Sequence, residues 1–246
     1  MIHSDVMRER IIKKASSSLV AVLSLAFILI FIVAMRNPKI SDSSTSKKTY
    51  SYLALGDSYT IGEQVKAEEN FPNQAVQKLR EKGFDVKSPV IIAKTGWTTD
   101  ELQDAINKAR LKKKYDFVTL LIGVNNQYRG QTVVDYIPQF ETLLKQAIRF
   151  TGNDTSNVIV ISIPDWGVTP FAEGRDRNKI SLQIDEFNAA NQLVAAKFNV
   201  HYINITEGSR KAGQDATLLA GDGLHPSGKA YSAWADDVAN FIKEVL

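Results

Sequence analysis

Five short, β-rich apolar runs alternate with stretches of helical periodicity: Tyr52–Leu55, Val90–Ala93, Phe117–Ile122, Val158–Ile163 and Val200–Ile205. Several are almost wholly apolar, as strands must be when helices cover both faces of their sheet. The intervening helical stretches run from Asn73 to Lys82, Thr99 to Leu111, Val133 to Phe150 and Leu182 to Phe198. A last one follows Pro226, where Ser227 reads as an N-cap and Ala230, Tyr231, Trp234, Val238, Phe241 and Val245 recur at steps of three or four. Alternation of this kind dictates an α/β fold, with a parallel sheet of about five strands sandwiched by helices. Ligands of such sheets bind beyond the carboxyl ends of the strands.

The chain upstream of the first run is of another character. From Ala15 to Met35 there is no charged residue, and about 21 residues at ~1.5 Å rise span roughly the 30 Å of a bilayer's hydrocarbon. We read residues 1–14 as an N-terminal tail, 15–35 as an uncut signal-anchor helix, 36–50 as a polar linker and 51–246 as one domain. A cleaved signal peptide, leaving a secreted domain, is the alternative; its apolar region runs only ~7–15 residues and ends at a small-residue site, which Val33-Ala34-Met35-Arg36 lacks. Basic residues flank the segment evenly, Arg8, Arg10, Lys13 and Lys14 before it and Arg36, Lys39, Lys47 and Lys48 after it. A large trailing domain translocates largely regardless of such counts, so the expected location of the domain is extracytoplasmic.

Charge has to be divided along the same line. Of 30 Lys/Arg and 27 Asp/Glu, residues 1–48 hold eight and three, leaving 22 and 24, so the domain is slightly acidic. It has nothing of the concentrated positive field that nucleic acid demands. With no cysteine and three scattered histidines, disulfides and thiolate metal centres are excluded, and no metal site or cofactor is expected.

Chemically capable residues cluster just after the runs, where the fold class puts a site. Gly56-Asp57-Ser58 follows the first run, Lys94-Thr95-Gly96-Trp97 the second, Gly123-Val124-Asn125-Asn126 the third and Asp165-Trp166 the fourth. Asp222-Gly223-Leu224-His225-Pro226 precedes the last helix. A carboxylate three residues before an imidazole can hold one ring nitrogen and leave the other to act as a base, and Ser58 is the candidate nucleophile. Singly, each has a plain structural explanation: Asp57 and Ser58 as a helix cap, His225 as a loop histidine, Asn125-Asn126 as a turn. Serine-type acyl transfer is the one account that requires them together.

The ordered blocks GDSYT, KTGWTTDEL, IGVNNQ and DGLHP resemble the SGNH (GDSL-like) hydrolase superfamily over essentially all of residues 51–246. The resemblance implies a flavodoxin-like three-layer α/β/α domain that hydrolyses esters. It maps the nucleophile to Ser58, its partners to His225 and Asp222, and the oxyanion donors to the backbone of Ser58 and Gly96 and the side chain of Asn125. Asn126 departs from the pattern, which usually has Asp there. Trp97, Tyr128 and Arg129 are candidate substrate contacts, though loop packing or a solvated side chain accounts for each equally, and the segment from Asp165 to Lys179 is either a lid or wall beside the site or a solvated surface loop. His201, inside a run, is expected to be packed, and Lys112-Lys113-Lys114 to be a helix end. The implied substrate is a carboxylic ester, an O-acyl glycan, a lysophospholipid or another small ester, with membrane contact through the N-terminal helix and no obligate protein partner inferred. An acyltransferase using the same site and a non-catalytic surface binding domain are the alternatives.

Overall fold

The computed structural model describes residues 48–246. The expected signal-anchor helix at 15–35 and most of the linker lie outside the described residues. Among the described residues there are seven strands and eight α-helices: β1 (Thr49–Tyr50), β2 (Tyr52–Asp57), α1 (Ser58–Ile61), α2 (Phe71–Glu81), β3 (Asp85–Val86), β4 (Val90–Lys94), α3 (Thr99–Lys108), β5 (Phe117–Leu121), α4 (Val124–Tyr128), α5 (Val133–Phe150), β6 (Val158–Ile161), α6 (Arg177–Lys197), β7 (His201–Ile203), α7 (Thr206–Arg210) and α8 (Gly228–Val245). The main sheet has the order β4-β2-β5-β6-β7 with every pairing parallel. Counted along the chain this is 2-1-3-4-5, the flavodoxin-like order, whose direction of winding reverses between β2 and β5.

Burial follows from that order. Strands β2, β5 and β6 are buried along their whole length, while β4 and β7 at the edges are partly exposed. Helices α2 and α8 pack on each other, and α5 packs on both α3 and α6, so the apolar strands meet helix on both faces. Helix α8 contributes Tyr231, Trp234, Ala235, Val238, Ala239 and Ile242 to the core, and Ser227 caps it by accepting from the Ala230 amide. Phe241, expected in that stripe, is only partly buried, and Val245 is exposed.

Four departures from the sequence reading have identifiable causes. Thr49 and Tyr50, read as linker, pair with Asp85 and Val86 in a small parallel ladder. Helix α3 stops at Lys108 rather than Leu111; the chain leaves it and buries Tyr115 edge-on against Phe150, with ring centroids 6.2 Å apart. The lysine run 112–114 is therefore exposed loop, not a helix end. Helix α6 starts at Arg177 instead of Leu182 because Asp176 caps it, accepting from the Lys179 amide at 3.0 Å. His201, expected to be packed, is exposed on edge strand β7 and stacks on Phe241 at 3.7 Å.

Candidate active site

Strand β2 delivers Ser58 to the carboxyl edge of the sheet at the point of reversal, and a close backbone approach keeps it there. A Cβ on Gly56 would lie 2.1 Å from Thr60 Oγ1 and 2.4 Å from the Leu121 carbonyl oxygen, so only glycine fits where β2 passes into α1. Asp57 caps that single helical turn, its Oδ1 accepting from the Tyr59 amide at 3.0 Å. Ser58 is the first helical residue and is 4% exposed.

Asp57 is fully buried, and its second oxygen has no partner among the described residues. Burial pushes its carboxyl up to about 7, against the lowering effect of the Tyr59 amide. A group that holds its proton more tightly when folded loses stability for the fold as pH rises from its unfolded value, near 4, to its folded one. Asp57→Asn keeps the Oδ1 acceptor and removes the charge. We therefore expect this variant to be more stable than the wild type by a few kcal/mol near pH 8, with the gain vanishing near pH 4. Thermal unfolding followed by circular dichroism across that range is the check; parallel curves for the two proteins would contradict it.

The loop before α8 is folded by its own aspartate. Asp222 Oδ1 accepts from the Leu224 and His225 amides, both at 3.0 Å, while Oδ2 lies 2.6 Å from His225 Nδ1. Partial burial alone would raise the Asp222 carboxyl, but the hydrogen bonds from the His225 ring and these two amides outweigh it and hold the group below the usual carboxylate range. An ionised carboxylate only accepts, so Nδ1 carries the hydrogen and Nε2 is left as the basic nitrogen. The loop is tied back by Ala220 N–H to His225 O at 2.8 Å and by Phe171 N–H to Gly223 O at 3.2 Å. His225 itself is 6% exposed, with the Tyr59 ring 5.1 Å away.

Ser58, Gly96, Asn125 and His225 line one cavity of about 170 Å³, together with Tyr59, Thr95, Val124, Tyr128, Trp166, Phe171 and Leu224. Four of the five residues singled out for chemistry thus share a wall, and Asp222 holds the imidazole from behind. No hydrogen bond joins Ser58 Oγ to His225 among the described residues, a contact that commonly tightens only when substrate binds. Gly96 has φ +83°, a left-handed turn conformation open to glycine, and the Arg129 guanidinium donates to its carbonyl at 2.6 Å. Asn125 Nδ2 donates one hydrogen to the Trp97 carbonyl at 3.0 Å, which orients the amide.

Asn126, the departure from the family pattern, is buried and well partnered. Its Oδ1 accepts from the Thr99 amide at 3.2 Å, and its Nδ2 donates to Thr99 Oγ1 at 2.8 Å and to Gln131 Oε1. A carboxylate could not supply those donations.

The three candidate substrate contacts separate. Tyr128 lines the cavity, but the Trp97 side chain packs partly buried against the core, and Arg129 is exposed and bridges Glu101 at 3.2 Å. Their contribution is to hold the Gly96 and Asn125 turns. The segment from Asp165 to Lys179 is a wall: it supplies Trp166, whose Nε1 donates to Gln127 Oε1 at 2.8 Å, and Phe171. The Arg175 guanidinium lies 5.1 to 5.3 Å from the ring centroids of Tyr128, Trp166 and Phe171 and braces that wall. Neither aromatic was singled out as a substrate contact in the sequence; the only signal was the placement of Asp165-Trp166 after a strand.

A parallel sheet of flavodoxin-like order, with a Ser, an Asp-held His and the Gly96 and Asn125 turns gathered at its carboxyl edge, fits a serine-type hydrolase of ester bonds. The chain belongs to the GDSL-like Lipase/Acylhydrolase family, whose model matches residues 54–233. Among solved structures it is similar to TesA, at TM-score 0.63 and 19% identity over 81% of this chain and 100% of the other. It is also similar to a lipase/acylhydrolase from Enterococcus faecalis, at TM-score 0.63 and 23% identity over 80% and 97% of the two chains. Axe2, an acetylxylan esterase from Geobacillus stearothermophilus, aligns at TM-score 0.62 and 16% identity over 78% and 94%. At these identities the likeness speaks for the fold. No curated protein matches the chain.

Proposed function

We propose that this chain is a serine esterase that hydrolyses carboxylic esters through an acyl-enzyme, held at a membrane by residues 15–35 with the domain on the extracytoplasmic side. The reading is carried by His225, hydrogen-bonded to Asp222 through Nδ1, lining the same small cavity as Ser58, Gly96 and Asn125.

In the mechanism, His225 Nε2 takes the Ser58 hydroxyl proton as Oγ attacks the ester carbonyl, and Asp222 stabilises the imidazolium that results. The oxyanion is met by the backbone N–H groups of Ser58 and Gly96 and by the Asn125 N–H not given to Trp97. Collapse breaks the bond to the alcohol, which leaves with the proton from His225. Water, deprotonated by the same nitrogen, then attacks the acyl-enzyme and releases the carboxylic acid and Ser58.

The cavity, about 170 Å³, lies below the usual 300–1,000 Å³ of drug-sized pockets. It favours a short acyl group on a larger alcohol, such as an O-acyl glycan or a lipid headgroup, that extends past the exposed Tyr128 and Phe171. Incubating the full chain with a serine-directed fluorophosphonate and mapping the adduct by peptide mass spectrometry is the test. The adduct is expected on Ser58; labelling elsewhere, or none, would discard the reading.

A further inference from the structure

A second and larger cavity, about 300 Å³, lies on the far side of the catalytic loop and belongs to no step described above. Its walls come from the loop after β6, from α7 and the turn that follows it, from residues 218–226 and from the first turns of α8. Leu224 lines both cavities, His225 only the first and Pro226 only the second, so the loop that carries the imidazole is the partition. Tyr59 and Trp166 are likewise shared by the two.

The chemistry of this cavity is that of a site for an aliphatic chain. Its buried walls include Trp166, Ile205, Pro226 and Trp234. Asp165, Ser209 and Thr169, which reach it, are already satisfied by the protein. Asp165 accepts from Arg210 Nε at 2.9 Å and from the Gly167 amide at 2.8 Å. Ser209 Oγ donates to the Thr206 carbonyl at 2.7 Å and accepts from the Asp165 amide at 2.9 Å, and Thr169 Oγ1 donates to the Trp166 carbonyl at 2.7 Å. A ligand there is not called on to offer hydrogen bonds, and its apolar surface is what gains by leaving water.

The rim is charged. Lys211 and Lys229 stand on it, with Asp237 on the α8 side. Lys229 is engaged by Asp215 at 3.0 Å, whereas Lys211 makes no ion pair among the described residues. We infer that this cavity binds a single-chain anionic amphiphile, a medium-chain fatty carboxylate, with its chain between α8 and the catalytic loop and its head beside Lys211. The bound chain would lie directly against Leu224 and Pro226, on either side of His225. The site is separate from Ser58 and stands independently of the esterase chemistry.

Two of the chain's three tryptophans, Trp166 and Trp234, line the cavity, so binding has its own optical signal. We would titrate the full chain carrying Ser58→Ala with dodecanoate and follow tryptophan emission. The expected result is a saturable change that Ala233→Phe weakens at least about tenfold, since a bulky ring at this wall position occupies the chain's space. Ala233 is an exposed helical residue, and thermal unfolding of the variant would verify that it is folded. Dodecanoate should also bind more tightly than dodecyltrimethylammonium, and Lys211→Glu should reduce that preference. Wild-type protein already carrying a short phosphonate on Ser58 should bind dodecanoate unchanged.

The absence of a saturable signal, insensitivity to Ala233→Phe, or a preference for the cationic head would each overturn the inference. So would loss of binding on phosphonylation, which would put the chain in the active cavity. A failure of Ser58 to label, by contrast, would count only against the esterase reading.

Discussion

Ser58→Ala is expected to lower kcat for a short aryl ester by at least ~10³, and toward the ~10⁶ that removing the nucleophile costs in another Ser-His-Asp enzyme. Ser58 brings the aliphatic hydroxyl of the β2–α1 turn to the cavity shared with His225, Gly96 and Asn125, whereas the Thr60 side chain is buried against Gly56. Alanine in place of serine at the first position of α1 leaves the Asp57 cap on Tyr59 intact, so the fold should persist. Thermal unfolding close to that of the wild type, beside initial rates on a p-nitrophenyl acetate panel, separates lost chemistry from lost structure. Retention of more than about a hundredth of wild-type kcat would mean that another group attacks the ester, since triad enzymes lacking the nucleophile keep far less.

For Asp222→Asn the expected loss in kcat is about 10⁴, the effect of the equivalent tautomer change in a Ser-His-Asp enzyme. Asparagine would retain the oxygen that accepts from the Leu224 and His225 amides at 3.0 Å, which preserves the turn. Its amide nitrogen, however, would face Nδ1 where a carboxylate oxygen now lies at 2.6 Å. That nitrogen can only donate, so the imidazole would carry its hydrogen on Nε2 and could no longer accept one from Ser58.

The two variants differ in their pH profiles as well. Because Asp222 is held below the usual carboxylate range, its contribution to stability is present above the unfolded pKa and disappears only as pH falls through the lower folded value. The acid limb of wild-type kcat/KM therefore does not report Asp222. Steady-state rates from about pH 5 to 9 on the Asn variant should show that limb removed or displaced along with the drop in magnitude. An Asn variant within about tenfold of wild type would show that Asp222 orients nothing the reaction needs.

Much of the fold was legible because its signals are local. Apolar runs such as Val158–Ile161 report burial on both faces, and Ser227 caps α8 through an amide only three residues away. The edges were less so. Strand β7 shrinks to His201–Ile203 because it pairs on one side only, and the Thr49–Tyr50 ladder is set by a partner 36 residues away in the chain. Of the site, the Asp222–His225 pair was readable from spacing alone, since one turn of backbone determines it. Trp97 and Arg129 do not line the cavity; sequence adjacency to Gly96 and Asn125 does not say which way a side chain leaves a turn. One packs on the core and the other braces Gly96 from outside.

By itself the sequence determined the strand–helix alternation, the parallel sheet and the residues capable of acyl transfer, since periodicity, capping and a three-residue Asp–His spacing act within a few residues of chain. Tertiary structure alone decided that Trp166, Phe171 and Leu224 wall the cavity beside Ser58, and that a second apolar cavity backs onto His225. Those surfaces are made where loops from different strand ends meet, and contacts between distant segments depend on how whole elements pack rather than on any local pattern.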